Sequence, residues 1–266
     1  MRKLRRALLA LAALAVVGVA AGLVVFKTDL LLEALPVGPL GDEAAADAWI
    51  AEVEGAHGAR TDWLAQGEVE LHTRGELAFL PVRLLFGLPL SSVDVDLTLR
   101  FRPDTHGPYA YTLRLGDAVR HGTADTRRDR DGLGVMLDSV RHLFELPWTP
   151  ATVPFRRGLP PSADGLRGVF LTWGDPRPTR QYDQVAAWTR AGRLVRMDTT
   201  GRDVAPFVVA RVEYAGEVAL GGLRLPQTAT VVRPGDGSLV HRWELVSARR
   251  VAPGEAPGGL EGGAGR

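Results

Sequence analysis

Val93-Asp94-Val95-Asp96-Leu97-Thr98-Leu99-Arg100-Phe101 alternates apolar and polar residues without a break. A period of two puts Val93, Val95, Leu97, Leu99 and Phe101 on one face of a strand and Asp94, Asp96, Thr98 and Arg100 on the other. The stretch therefore predicts a half-buried strand, with the aspartates and Arg100 facing water. After a Pro-Asp-Thr-His-Gly-Pro turn, Tyr109, Tyr111, Leu113 and Leu115 continue the same pattern.

Outward from this pair, further strands are expected at 66–73, 118–123, 168–173, 183–189, 194–199, 207–214, 225–232 and 239–248. Turn residues separate them: Ala191-Gly192, Gly221-Gly222 and Pro234-Gly235-Asp236-Gly237. Short consecutive strands with short turns predict an antiparallel meander, because parallel pairing needs crossover helices.

Two segments carry the helical period instead. Asp42 is placed to cap a helix to about Gly58, with Ala46, Trp49, Ile50, Val53 and Ala56 as its apolar stripe. Leu133, Met136, Leu137, Val140, Leu143 and Phe144 recur at three- and four-residue spacing, ahead of a stop at Pro147. Asp138, Ser139, Arg141, His142 and Glu145 fill the remaining positions, which the pattern reads as a solvated face. The apolar face of this inserted helix needs a partner, and the sheet is the one at hand. The fold class is thus α+β.

Arg2, Lys3, Arg5 and Arg6 precede an uncharged apolar stretch at 7–26 that contains Ala7, Leu14, Leu23 and Phe26. Twenty residues at about 1.5 Å each would span a bilayer core of about 30 Å. The cations before it predict the N-terminus inside and the body outside the cytoplasm. A cleaved signal sequence is the alternative, with small residues at Gly18, Ala20, Ala21 and Gly22. Residues 1–30 form this anchor or signal sequence, 31–41 a spacer, and 42–251 one β-rich domain. Residues 252–266, with six glycines and two prolines, read as a disordered tail.

The whole chain of 266 residues has a net charge of +1, but the part after residue 30 has 27 basic and 30 acidic residues, a net of −3. That body lacks the basic footprint of a nucleic-acid binder. The chain has no cysteine, which excludes disulfides, zinc–thiolate sites and a lipid-acylated cysteine.

The chemistry-bearing patterns each have a plainer reading. Asp138, His142 and Glu145 could face a metal together, yet they fit a solvated helix face better. Asp94 and Asp96 could be an acid–base pair, yet they fit the wet side of their strand. Ser139 beside His142 and Asp138 lacks triad geometry, since three neighbours on one helix cannot align as nucleophile, base and orienter. No cofactor and no catalytic residue is expected. The six tryptophans, Trp49, Trp63, Trp148, Trp173, Trp188 and Trp243, are spread through the body as core or cavity wall.

Two hairpins carry a resemblance. Gln181-Tyr182-Asp183 to Trp188, followed by Ala191-Gly192-Arg193-Leu194, is similar to the strand–turn–strand hairpin of the LolA-like superfamily of bacterial envelope proteins. Gly221-Gly222-Leu223-Arg224-Leu225-Pro226 resembles that family's Gly-x-x-Leu-Pro approach to a late strand. The resemblance covers about residues 45–248. It implies a strongly curved antiparallel sheet, an open half-barrel, with helices covering its concave face. It also implies a periplasmic, non-enzymatic protein that binds lipid or lipoprotein acyl chains. On that reading the cavity is lined by Val95, Leu97, Leu99, Phe101, Tyr111, Met136, Leu137, Val140 and Phe144. The alternatives are an envelope scaffold or signal sensor without a ligand, and a carboxylate-dependent hydrolase.

Overall fold

A computed structural model describes residues 34–78, 91–103, 105, 107–124, 133–179, 181–202 and 208–255, with Gly18 and Leu32. The apolar stretch at 7–26 lies outside the described residues, apart from Gly18. Among the described residues no helix is long and apolar enough to cross a membrane.

Among the described residues, three α-helices precede or interrupt the sheet. α1 spans Glu43–His57, α2 spans Arg60–Leu64 and α3 spans Leu133–Glu145. Asp42 caps α1 as expected: its carboxylate accepts the Ala45 N–H at 2.8 Å. α2 is five residues long, too short for a periodic signal, and was not anticipated.

The strands are β1 Val69–Leu77, β2 Val93–Phe101, β3 Tyr109–Leu115, β4 Ala118–Ala124, β5 Phe155–Leu159 and β6 Arg167–Thr172. They continue as β7 Gln184–Arg190, β8 Arg193–Thr200, β9 Val209–Leu220, β10 Leu223–Val232 and β11 Leu239–Arg250. All pair antiparallel in one eleven-stranded sheet, in the order β4-β3-β2-β1-β11-β10-β9-β8-β7-β6-β5. The expected meander is there, with β1 and β11 joining its two halves. β1 begins and ends later than the sequence pattern placed it. β5, Phe-Arg-Arg-Gly-Leu, was missed because two arginines and a glycine hide a five-residue edge strand.

The sheet curves around its helices and stays open. α1 starts against β5, where Gly41 N–H donates to the Gly158 carbonyl and Gly158 N–H to the Asp42 carbonyl. It ends against β8 and β10. There His57 Nδ1 donates to the Arg224 carbonyl at 2.7 Å, and Nε2 accepts the Leu194 N–H at 3.3 Å. Burial lowers the His57 pKa below its ordinary value, in keeping with a neutral ring that donates from one nitrogen and accepts at the other. The β7–β8 turn, Ala191-Gly192, has positive φ at both residues, 51° and 75°. That is the conformation a two-residue hairpin favours. At Gly192 a side chain would also collide with α1, since a Cβ would sit 2.5 Å from the Glu52 carbonyl oxygen.

The inner face holds one large apolar cluster, into which α1, α2 and α3 all pack. A smaller cluster of Leu35, Leu159, Phe170 and Ala186 lies apart from it. Phe170 and Ala186 alternate with the inner-face residues Val169, Leu171, Val185 and Ala187, so this second cluster is on the outer face. Leu35 and Val37, from the segment read as a spacer, pack there, and Leu35 N–H donates to Gln184 Oε1 at 3.1 Å. β6 and β7 are therefore buried on both faces, and their sequences lose the two-residue alternation.

Gly75 lies opposite Trp243 in the β1–β11 register. A Cβ there would sit 2.5 Å from the indole ring and 2.8 Å from the Arg242 carbonyl oxygen. Gly75→Ala should therefore cost about 1–3 kcal/mol through overpacking, read by denaturant unfolding. A variant as stable as the wild type would show that the Trp243 ring gives way freely.

Candidate functional site

The two edge strands, β4 and β5, are consecutive in the chain but lie at opposite ends of the sheet. The chain from one edge to the other runs through α3, which lies against the inner face. α3 packs on β10, near the middle of the strand order.

The inner-face residues expected from the pattern come together here. Val95, Leu97, Leu99, Phe101, Met136, Leu137, Val140 and Phe144 are all buried in the large cluster, and Tyr111 is partly buried against it. Leu97, Leu99, Leu137 and Phe144 are 0% exposed, so no water-sized space reaches them. Asp94 is exposed and Asp96 lies on the outer face, where it meets His72 at 3.0 Å and Arg74 at 3.5 Å. The carboxylate pair is thus turned away from the concavity.

Arg100 does not face water as its strand pattern suggested. It is 3% exposed. The register sets it opposite Glu70, with which it pairs, and Glu255 folds over it to accept at 3.3 Å. The reason is tertiary: Arg249 and the segment to Glu255 complete a charge cluster on the outer face. Hydrogen bonds from Arg249 hold the Glu255 carboxyl down at about 2.

The polar positions of α3 are not all solvated. Ser139 is exposed, but Arg141 and Glu145 are each 2% exposed. The sheet takes one side of the helix, while α2 and the β2–β3 turn cover the other. Arg141 Nη1 meets Glu145 Oε2 at 2.8 Å, and Trp63 Nε1 donates to Glu145 Oε1 at 2.9 Å. Arg141 Nη1 also donates to the Thr105 carbonyl at 2.7 Å, and Nε lies 3.4 Å from Asp138 Oδ1. The guanidinium sits 6.0 Å from the Phe101 ring centre and 5.9 Å from that of Tyr109. The Tyr109 hydroxyl donates to Asp138. Burial raises its pKa well above the ordinary phenol value; the Asp138 carboxylate adds to this and the Arg141 charge opposes it.

The three candidate metal ligands on α3 do not converge. His142 Nδ1 donates to the Asp138 carbonyl at 2.8 Å and Nε2 accepts from Arg141 at 3.1 Å, a tautomer assigned from this pattern. Glu145 points away, into Trp63 and Arg141. The arrangement ties α3 to the end of the sheet.

The sequence pattern offers Trp63 as core or cavity wall and Tyr109 as a strand residue, without tying either to α3. Trp63 stacks on Trp148, with ring centres 4.5 Å apart and planes 11° apart, and lies 6.2 Å from Phe101. The Arg141–Glu145 spacing of four residues was a readable pair signal, but such pairs are usually solvated.

No family model matches the chain, and no curated protein does. Solved structures do. A DUF1329 family protein from Desulfovibrio piger is 12% identical, with a TM-score of 0.37, over 80% of this chain and 95% of its own. A putative outer membrane lipoprotein-sorting protein domain from Vibrio parahaemolyticus is 12% identical, with a TM-score of 0.36, over 77% and 92%. A LolA superfamily protein from Nitrosomonas europaea is 10% identical, with a TM-score of 0.37, over 78% and 94%.

Proposed function

We propose that this is a non-enzymatic protein of the bacterial envelope, anchored in the inner membrane by residues 7–26 with its body in the periplasm. It holds a lipid acyl chain, or a similarly apolar ligand, between the inner face of the half-barrel and α3. The observation that carries this reading is the position of α3. It lies against the inner face of an unclosed sheet, and its face of Met136, Leu137, Val140 and Phe144 joins Val95, Leu97 and Leu99 in one apolar cluster. Moving α3 outward would expose an apolar seat without breaking a single strand pair.

The chain is closed in the present structure, so the ligand enters by displacing α3. Lipid extraction of the purified protein followed by mass spectrometry tests the reading, and acyl lipid at a fixed ratio to chain is the expected result. Val140→Phe adds volume to the seat and should lower bound lipid several-fold, at a stability cost of about 1–3 kcal/mol. The same lipid load in Val140→Phe and wild type would reject α3 as the wall of the seat.

The complete burial of Leu97, Leu99, Leu137 and Phe144 favours a second reading, an envelope scaffold whose core is permanently filled. Purified protein without lipid, and no change in melting temperature on adding fatty acid, would select it.

A further inference from the structure

A cleft of about 430 Å³ opens at the end of the sheet, beyond the Trp63–Phe101 contact. Its wall includes the apolar residues Leu64, Pro103 and Val251 and the charged residues Arg102, Arg250 and Glu68. Leu64 follows Trp63 and Arg102 follows Phe101 in the chain, and Arg250 lies opposite the core residue Val69 in the β1–β11 register. Three of the cleft's residues are thus neighbours, in chain or in register, of members of the inner apolar cluster.

The donors on this wall divide sharply. The Thr105 hydroxyl donates to the Arg102 carbonyl at 2.6 Å, and Gln66 Nε2 donates to the Asp62 carbonyl at 2.9 Å. The backbone N–H groups of Gln66, Gly67, Thr105 and Val251 donate to carbonyl oxygens. Among the described residues, the Arg102 and Arg250 guanidiniums have neither a hydrogen bond nor an ion pair. This contrasts with Arg100, Arg141 and Arg249, which are each paired with carboxylates. Among the described lining residues, two uncommitted guanidiniums stand against one carboxylate, a net positive balance. Their planar forks match a carboxylate or a phosphate in two-point contact.

We propose that this cleft seats the anionic headgroup of an amphiphile, a carboxylate or phosphate held between Arg102 and Arg250, with the apolar tail turned into the concave face. The proposal rests on the acyl-chain reading above and adds the charge of the ligand to it. The volume fits a headgroup and its first methylenes, and Leu64, Pro103 and Val251 supply the apolar surface where those methylenes leave the charged end.

Isothermal titration of the full-length chain in a nonionic detergent tests this, with three probes: decanoate, uncharged 1-decanol and inorganic phosphate. Each is titrated into the wild type and into Arg102→Gln/Arg250→Gln. Partition into the detergent cancels when variant and wild type are compared. Wild type should bind decanoate about tenfold or more tightly than 1-decanol, the ratio that a charge-assisted hydrogen bond supplies. The double variant should lose that preference while its affinity for 1-decanol and its melting temperature stay unchanged. A decanoate preference that survives in the double variant overturns the assignment of these arginines. Equal binding of decanoate and 1-decanol to wild type overturns the headgroup site and leaves the acyl-chain reading standing. Phosphate binding that the double variant loses, with neither decanoate nor 1-decanol bound, assigns the cleft to a free anion and rejects the tail seat. No binding of any probe rejects both.

Discussion

Leu97→Asp should prevent the sheet from forming, whereas Asp96→Asn, one residue away, should change stability by about 0.5 kcal/mol. Leu97 is 0% exposed on a central strand, with Thr73 of β1 on one side and Leu113 of β3 on the other. An aspartate there loses the leucine's burial and places a carboxyl among apolar side chains. Burying the charge without a partner costs several kcal/mol, and keeping the group neutral requires a strongly raised pKa. A domain has about 5–15 kcal/mol of stability in total, so either route removes most of it. Asp96 is different. It is a quarter exposed, and its contacts with His72 and Arg74 are outer-face pairs of the kind worth 0–1 kcal/mol. Thermal melts of the two variants decide the matter. If Asp96→Asn were the more damaging, the faces of β2 would be reversed and the carboxylates would point at α3.

The second large effect is expected at Arg141. Arg141→Met keeps most of the side-chain volume and removes the charge, leaving Glu145 buried against Trp63, and the half-buried Asp138 beside Tyr109, without their cation. Breaking a buried ion pair from one side costs about 3–5 kcal/mol, mainly through the stranded charge. Arg141→Met/Glu145→Met removes both members of the closest pair and should be less damaging than the sum of the two single changes, by about 0.5–3 kcal/mol. Denaturant unfolding of the four proteins gives this coupling. A cost below about 1 kcal/mol for Arg141→Met would show that apolar packing alone holds α3 in place. The result also bears on the proposed function, in which α3 has to leave the sheet.

Arg141 and Arg100 show where the linear pattern stops being informative. Arg100 falls on the polar side of a two-residue alternation and Arg141 on the polar side of a helical repeat, and each is buried. A residue's place in a repeat says which face it occupies. Whether that face is wet depends on what else the chain brings to it. Glu255, 155 residues from Arg100, and Thr105, 36 residues from Arg141, supply the covering contacts. β6 and β7 show the same effect in reverse: their outer faces are apolar because Leu35 and Val37 return to cover them.

The sequence by itself determined the antiparallel meander, the capped first helix, the inserted amphipathic helix and the inward face of β2. These follow from backbone geometry, because a period of two or of 3.6 residues assigns a side without reference to distant chain. It also placed Val95, Leu97, Leu99, Met136, Leu137, Val140 and Phe144 correctly on apolar faces that meet. Only the tertiary structure decided that β1 pairs with β11, that α3 packs on the inner face against β10, and that Trp63, Tyr109, Arg141 and Glu145 close one end of the core. It alone brought Arg102 and Arg250 to a common cleft, since they are 148 positions apart and share no local pattern. Contacts of that kind depend on register and on sheet curvature, which are set by the packing of all eleven strands together rather than by any one stretch of sequence.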